Sequence, residues 1–289
     1  MNRNIILVLH PSREEARNLA NEIVPKLSEK GFSITTASEG IAGAVQKTES
    51  EIATISRDSE LILVLGGDGT ILRGAELVHG SSTPVLGINL GHVGFLAQIE
   101  RPSTKDLISA IESKSYQIEK RMTLSYRVER NNSCVAEGWA LNEVAIERNT
   151  EAMIELFVQI DQRPLSRWGC DGVICATPTG STAYAFSAGG PVVWPDVDAL
   201  VLLPLAAHAL FSDPMVVSPQ SVIAIDVESE VGVISADGLR KVQLVAGDRV
   251  TLTSERSFIS LAHIDEVTFT DRLVAKFKLP VDGWRGENR

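Results

Sequence analysis

The chain is short of cysteine, of positive charge and of long apolar runs, and each shortage removes a class of protein. Its three cysteines, Cys134, Cys170 and Cys175, are odd in number and form no CxxC pair, so neither a disulfide framework nor a zinc site is indicated. A formal net charge of −10 over 289 residues argues against nucleic acid or an anionic membrane as partner. No apolar run approaches the length of a membrane span, and strand-like residues 4–9 begin too early to leave room for a signal peptide. The expected location is cytoplasmic. His10, His79, His92, His208 and His263 make neither HxH nor HExxH spacing, so no protein-ligated metal is expected. There is no GxxxxGKS/T phosphate loop and no GxSxG nucleophile turn. Gly67 and Gly69 begin a GxG, but the next glycine is Gly74, which breaks the dinucleotide-binding spacing. Internal repeats, low-complexity linkers and charge blocks are also missing.

What remains is a globular composition, 44% hydrophobic and 22% charged, with room for two ordinary domains. The first part alternates strand and helix patterns. Residues 5–9 read as a buried strand, and Ser12 with Glu15 has the spacing of a capping box. Ala16, Leu19, Ala20, Ile23, Val24 and Leu27 give one helical face, closed by Gly31. Strands are expected at 32–36, 61–65 and 84–89, and helices at 41–47 and near 104–112, the last capped by Ser103 or Thr104. Residues 53–57 give no clear signal. Such alternation indicates a wound parallel α/β layer, whose ligands sit beyond the carboxyl ends of strands.

At the end of the strand over 61–65 stands Gly66-Gly67-Asp68-Gly69-Thr70, followed by Ile71, Leu72, Ala75 and Val78 at helical spacing. Glycines permit positive φ and close approach of a ligand to the main chain. The unpaired first amides of a helix favour phosphate. Asp68 would repel a phosphate, and becomes useful only by holding a metal or taking a proton from an attacking hydroxyl. The alternative is a plain βα turn with Asp68 as helix N-cap. Arg73, five residues on, could reach phosphate or simply be an exposed helix arginine. Gly91-His92-Val93-Gly94-Phe95-Leu96 is a second glycine-rich turn.

From about Met122 to about Asp271 short β patterns prevail, at 123–130, 135–146, 154–161, 172–176, 222–227, 241–245, 249–253 and 258–261. A largely antiparallel domain is expected, with helix only around 182–188. The tail, 272–289, is expected to pack back on the N-terminal domain, with a helix over 272–279. The expected domains are therefore 1–121, 122–271 and that tail, with a ligand cleft between the first two. Asn142-Glu143 interrupts the apolar run 139–146, so one of the pair faces inward or sits at a bend. Residues 177–184, TPTGSTAY, put small hydroxyl side chains and Tyr184 after a strand, a surface suited to a sugar or base edge. The alternative is a loop capped by Ser181 or Thr182. Asp171 reads as a turn aspartate, and Asp237-Gly238 as a hairpin turn first and a ligand contact second.

Together, GGDGT at 66–70, Asn142-Glu143 and the stretch 172–191 with its TPTGSTAYAFSAGGP core resemble the NAD kinase family, and Gly91 to Phe95 and Asp237-Gly238 fit its pattern. GGDGT alone is shared with lipid kinases and, more loosely, phosphofructokinases; TPTGSTAY downstream of an Asn-Glu pair is far more specific. The resemblance implies NAD bound between the two domains and phosphorylated on the 2′-hydroxyl of its adenosine ribose, by ATP, another nucleoside triphosphate or polyphosphate, with Mg²⁺ or another divalent cation. It implies that Asp68 is the catalytic carboxylate and that Gly66, Gly67, Gly69 and Thr70 form the phosphate-donor turn. Gly69 and Arg73 would lie at the NAD site, and Asn142 and Glu143 would hold the adenosine ribose. Thr182, Ala183 and Tyr184 would meet adenine, and Asp171 and Ser187 the nicotinamide end. Ala206 and His208 match a segment that touches ligand across a subunit boundary in a homodimer or homotetramer. Two positions depart from the family: Trp168-Gly169-Cys170, where some relatives carry a basic side chain, and Ala152, where relatives supply a polar one. A lipid or sugar kinase, or a non-catalytic NAD-binding regulator, are the competing expectations.

Overall fold

A computed structural model of the chain describes residues 3–91, 94–97, 102–229, 231–264 and 266–281. The chain divides into two compact units, the first taking the described residues up to Lys120 and from Ile259 onward, the second Arg121–Phe258.

The first unit opens with β1 (Arg3–Leu9), α1 (Glu14–Glu29) and β2 (Phe32–Thr36). The six apolar residues read as the face of α1 are all buried there, together with Ile5, Leu7 and Ile34. The expected capping box is not formed. Arg13 occupies the N-cap without a side-chain bond, and the Ser12 N–H donates to His10 Nδ1 at 3.3 Å. The helix expected over 41–47 is likewise absent. Gly40 and Gly43 take φ of +72° and +81°, which ends any right-handed helix, and Val45–Gln46 forms the short edge strand β3. The helix lies just beyond, as α2 (Glu49–Ile55), started by a capping box between Thr48 and Glu51.

β4 (Leu61–Leu65) is buried at all five positions, and α3 (Asp68–Val78), β5 (Val85–Ile88) and α4 (Thr104–Ser113) follow. Ser103 is the cap of α4, accepting from the Asp106 N–H. The sheet order is β5-β4-β1-β2-β3, every pair parallel. The chain thus winds one way from β1 to β3 and the other way from β4 to β5, which makes the β1/β4 boundary a topological switch point.

The second unit holds two antiparallel sheets. In chain order its strands are β6 (Gln117–Arg130, entering from the first unit), β7 (Ser133–Ala140), β8 (Glu143–Arg148), β9 (Ile154–Ile160), β10 (Arg163–Cys170), β11 (Gly172–Ala176), β12 (Leu200–Leu205), β13 (Met215–Val217), β14 (Ile223–Val227), β15 (Val231–Ala236), β16 (Arg240–Val245) and β17 (Arg249–His263). A single turn of helix, α5 (Tyr184–Ser187), follows β11. One sheet runs β10-β9-β14-β17 with β6 and β7 beyond, the other β13-β12-β11-β8-β15-β16. Alternation explains the packing. Val173 and Cys175 of β11 point into the core shared with Leu156, Val158 and Ile225, whereas Ile174 and Ala176 point into a second core with Ala185, Val193, Val201 and Leu203. The run 135–146 is therefore not one strand. It breaks after Ala140, and the chain changes sheet between β7 and β8. Conversely, 249–253 and 258–261 are one strand, β17.

The end of β17 returns to the first unit, where Leu261 and Ala262 pair in parallel with Val85 and Leu86 of β5. The β half read from the sequence as far as Asp271 ends at Phe258. The last helix, α6 (Phe269–Phe277), starts earlier than the expected 272 because Thr268 and Asp271 form a capping box. It belongs to the first unit, where the Phe269 and Phe277 rings lie 5.8 and 5.9 Å from the Phe95 ring.

Candidate functional site

In the first unit, residues 66–70 leave β4 at its carboxyl end and start α3 at the switch point. The glycines do not supply positive φ here; Gly67, the N-cap, has φ −90°. Their use is room. A β-carbon at Gly66 would fall 2.4 Å from the Thr70 hydroxyl oxygen, whereas one at Gly67 or Gly69 would meet nothing within 4 Å. That open space lies over the first amides of α3, where an anion is favoured.

Asp68 is the first residue of the helix, not its cap. Its carboxylate turns to the second glycine-rich turn, where the Phe95 N–H donates to Oδ2 at 2.9 Å and the Leu96 N–H to Oδ1 at 3.2 Å. A β-carbon at Gly94 would stand 2.1 Å from Asp68 Oδ1, so only glycine lets the turn close on this side chain. A carboxylate has about four acceptor sites, and these two bonds leave others for a hydroxyl. Arg73 lies on the exposed side of α3. His92 and Val93 lie outside the described residues. A residue the sequence reading passed over, Arg13, stands at the start of α1 across the same switch point, its guanidinium so close that a β-carbon at Gly91 would lie 2.5 Å from Nη1. The only sequence signal was a cation just after the first strand.

In the second unit, the change of sheet at 141–143 is held from three sides. The Leu141 N–H donates to Asp237 Oδ2 at 2.9 Å, and the Asn142 N–H to Oδ1 at 2.7 Å. Arg240 Nη2 donates to Asp237 Oδ2 at 3.0 Å. The Thr177 N–H donates to the Asn142 carbonyl oxygen at 2.8 Å, and the Thr177 hydroxyl to that of Leu141 at 2.5 Å. A β-carbon at Gly180 would fall 2.0 Å from the Asn142 carbonyl oxygen, so the TPTG turn packs directly on the bend. Asp237, which the sequence offered first as a hairpin residue, is both: Asp237 and Gly238 take φ of +52° and +67°, and the buried carboxylate organises the Asn-Glu bend.

Glu143 is 8% exposed, and its Oε2 has no hydrogen-bond partner among the described residues. Burial, and then the neighbouring Asp237 charge, push its carboxyl up to about 8, against the Tyr184 N–H that donates to it. An orphaned buried oxygen of this kind is a place for a ligand hydroxyl.

Neither Ser181 nor Thr182 caps α5, whose N-cap is Ala183. The Ser181 hydroxyl is buried against Pro178 and Val193, and the Thr182 hydroxyl donates back to the Thr179 carbonyl oxygen at 3.2 Å. The Tyr184 hydroxyl donates to Glu147 Oε1 at 2.8 Å. Glu147, Arg148, Asp171, Tyr184 and Ser187 line a pocket of about 480 Å³. Arg148 Nε lies 2.7 Å from Asp171 Oδ1, so the end of β8 sets a basic side chain beside Asp171. Ala206 follows the pocket-lining Leu205, exposed and at φ +48°, and the His208 N–H donates to the Gly169 carbonyl oxygen at 2.9 Å.

Against known proteins, residues 5–116 match the ATP-NAD kinase N-terminal domain and residues 141–263 the ATP-NAD kinase C-terminal domain. An NAD kinase of Thermobifida fusca is 46% identical over 99% of this chain and 92% of its own length. The NAD kinase of Mycobacterium tuberculosis is 42% identical over 99% of both chains. Two solved structures are similar in fold. One is yeast NADH kinase complexed with NADH, with TM-score 0.86 and 25% identity, covering 99% of this chain and 89% of that one. The other is an NAD kinase from Archaeoglobus fulgidus in complex with ATP, with TM-score 0.73 and 26% identity, covering 95% of this chain and 98% of that one.

Proposed function

The chain belongs to the NAD kinase family, and from that premise we propose how its residues move a phosphoryl group onto the 2′-hydroxyl of the adenosine ribose of NAD. Asp68 accepts the hydroxyl proton as the oxygen bonds to the γ-phosphorus of ATP. The bond from that phosphorus to the bridging oxygen breaks, and ADP leaves with the electron pair. Phosphoryl transfer needs alignment and charge neutralisation more than covalent chemistry. The amides of residues 67–69, with open space above Gly67 and Gly69, and the Arg13 guanidinium are the groups of this chain suited to the donor's phosphates. Among the described residues no three His, Cys, Asp or Glu side chains converge as a metal-ligating group. The donor set at the turn is the single carboxylate of Asp68, which suits a divalent cation such as Mg²⁺ carried mainly by the donor's own phosphates.

Asn142 and the unpartnered oxygen of Glu143 hold the ribose and leave the 2′ position to Asp68. Thr182, Ala183 and Tyr184 border adenine. The nicotinamide end occupies the pocket of Arg148, Asp171 and Ser187. The protein acts as a cytoplasmic homodimer or homotetramer. Polyphosphate and other nucleoside triphosphates are candidate donors beside ATP. No helix among the described residues is long and apolar enough to cross a membrane.

The observation that carries this reading is the fixed carboxylate of Asp68 at the switch point, with acceptor sites to spare. Its test is Asp68→Asn in a coupled NADP-formation assay, with each donor in turn. We expect kcat to fall by roughly two to four decades and NAD affinity to change little. Near-normal turnover would refute the role as base, and a steep rise in the Mg²⁺ requirement would assign Asp68 to the metal instead.

A further inference from the structure

The turn that grips Asp68 is itself gripped from behind. Phe95 and Leu96 give their N–H groups to the carboxylate. The next residue, Ala97, gives its carbonyl oxygen to the Arg272 guanidinium of α6. Arg272 is 3% exposed, rare for an arginine on a nine-residue terminal helix. Its Nη2 donates to His263 Nδ1 at 3.1 Å. Because arginine only donates, Nδ1 accepts, the His263 proton sits on Nε2, and that nitrogen donates to Glu119 Oε2 at 3.1 Å. The Phe95 ring, meanwhile, lies between Phe269 and Phe277 at the two ends of α6.

Residues 95–97 therefore have the carboxylate on one side and α6 on the other, with a charged bond to main chain at the centre of the brace. A bend outside helix and sheet keeps two N–H groups on a side chain only where its own position is fixed, and a charge-assisted bond to its carbonyl does that. We propose that Arg272 is a positioning residue for the phosphoryl transfer, acting through Ala97 and the Phe95 and Leu96 amides to keep the Asp68 carboxylate aimed at the ribose hydroxyl. It touches no substrate. Its effect belongs in kcat, where a displacement of about 1 Å costs on the order of 10²-fold, and not in the affinity for NAD. The inference rests on the reading of Asp68 given above.

The test is a double-mutant cycle on the full chain. Arg272→Met, which keeps length and removes the bonds to Ala97 and His263, should lower kcat by about 10- to 100-fold with KM for NAD changed less than about threefold. In the Asp68→Asn background the same change should cost kcat almost nothing, because there is no longer a carboxylate to aim. Arg272→Lys, which keeps the charge and one reach to Ala97, should recover part of the loss. Equal loss in both backgrounds, or unchanged kcat in folded Arg272→Met, overturns the inference. Should Arg272→Met fail to fold, Arg272→Lys and His263→Gln in the same two backgrounds decide it by the same criterion. If Asp68→Asn alone turns over normally, the reading of Asp68 falls and takes this one with it. If Asp68→Asn is slow and the cycle is additive, only the role of Arg272 falls.

Discussion

Glu143 is a carboxyl that the fold keeps protonated at neutral pH, and that has a cost readable in stability. Its value stands near 8 in the folded protein against 4.5 ordinarily, chiefly through burial and then through Asp237. Between those values the folded chain holds a proton that the unfolded chain has lost. Stability contributed by this site is therefore greatest below about pH 4.5 and declines as pH rises toward 8, by at most about 1.4 kcal/mol per pH unit, then stays at its lower level. Asp237 is shifted in the same direction, again by burial first. Glu143→Gln keeps the shape and removes the titration. Its denaturation midpoint relative to the parent should rise between pH 5 and pH 9, measured in urea at both; parallel midpoints would show that Glu143 is ionised in the folded protein. The same orphaned oxygen that is costly without ligand is what a ribose hydroxyl would satisfy, so the cost and the use fall on one atom.

At the scale of elements, the two glycine turns of the first unit separate into a moulding glycine and an open one. Gly94 is moulding, since a β-carbon there lies 2.1 Å from Asp68 Oδ1. Gly94→Ala must turn the carboxylate away from its two amides, and kcat should drop toward that of Asp68→Asn with a lower melting temperature. Gly69 is open, in the first turn of α3, with no positive φ. Gly69→Ala should leave the fold more stable by about 0.5–1 kcal/mol and raise KM for ATP at least about tenfold, since the methyl occupies the donor's approach. Thermal melts beside kinetics with ATP varied distinguish the two, and a Gly69→Ala enzyme with unchanged KM would move the donor elsewhere.

Elements with a strong local pattern were legible in the sequence. The face of α1 carries helical periodicity, β1, β4 and β5 stand out as short apolar runs, and the GGDGT turn follows directly from β4. Strands β10, β12, β13 and β15 went unread. Both faces of β12 are covered, and its apolar residues run on through Pro204 to Ala207, so neither alternation nor a turn residue marks the strand or its end. The site was legible as residue types and not as partnerships. Asp68 meets an amide 27 positions on, and Asp237 meets one 96 positions back. Arg148 answers Asp171 only because β8 and β11 are neighbours. Pairings of that length are set by sheet order, which no local spacing records.

At the scale of the molecule, the second unit shows apolar side chains that its own core leaves outside. Trp194, Val197, Leu210, Phe211 and Val216 are all exposed, Phe211 by half and Leu210 completely. Val216 lies on β13, the edge strand of its sheet among the described residues. A chain of net charge −10 has no solubility reason to expose such residues, and exposed apolar groups beside a sheet edge favour association with another copy. Ala206 and His208, immediately before Leu210 and Phe211, are the positions that by family resemblance touch ligand across a subunit boundary. If this segment makes that boundary, Leu210→Glu with Phe211→Ser should bring the mass in light scattering down toward the 31.2 kDa of one chain. NADP formation per chain should fall with it and return in part as protein concentration rises, because a site completed by the partner follows mass action. Circular dichroism should be unchanged, as neither side chain is part of a core. An assembly that keeps its mass with both substitutions would place the interface elsewhere on the chain. A monomer with full activity would show that each chain completes its own site.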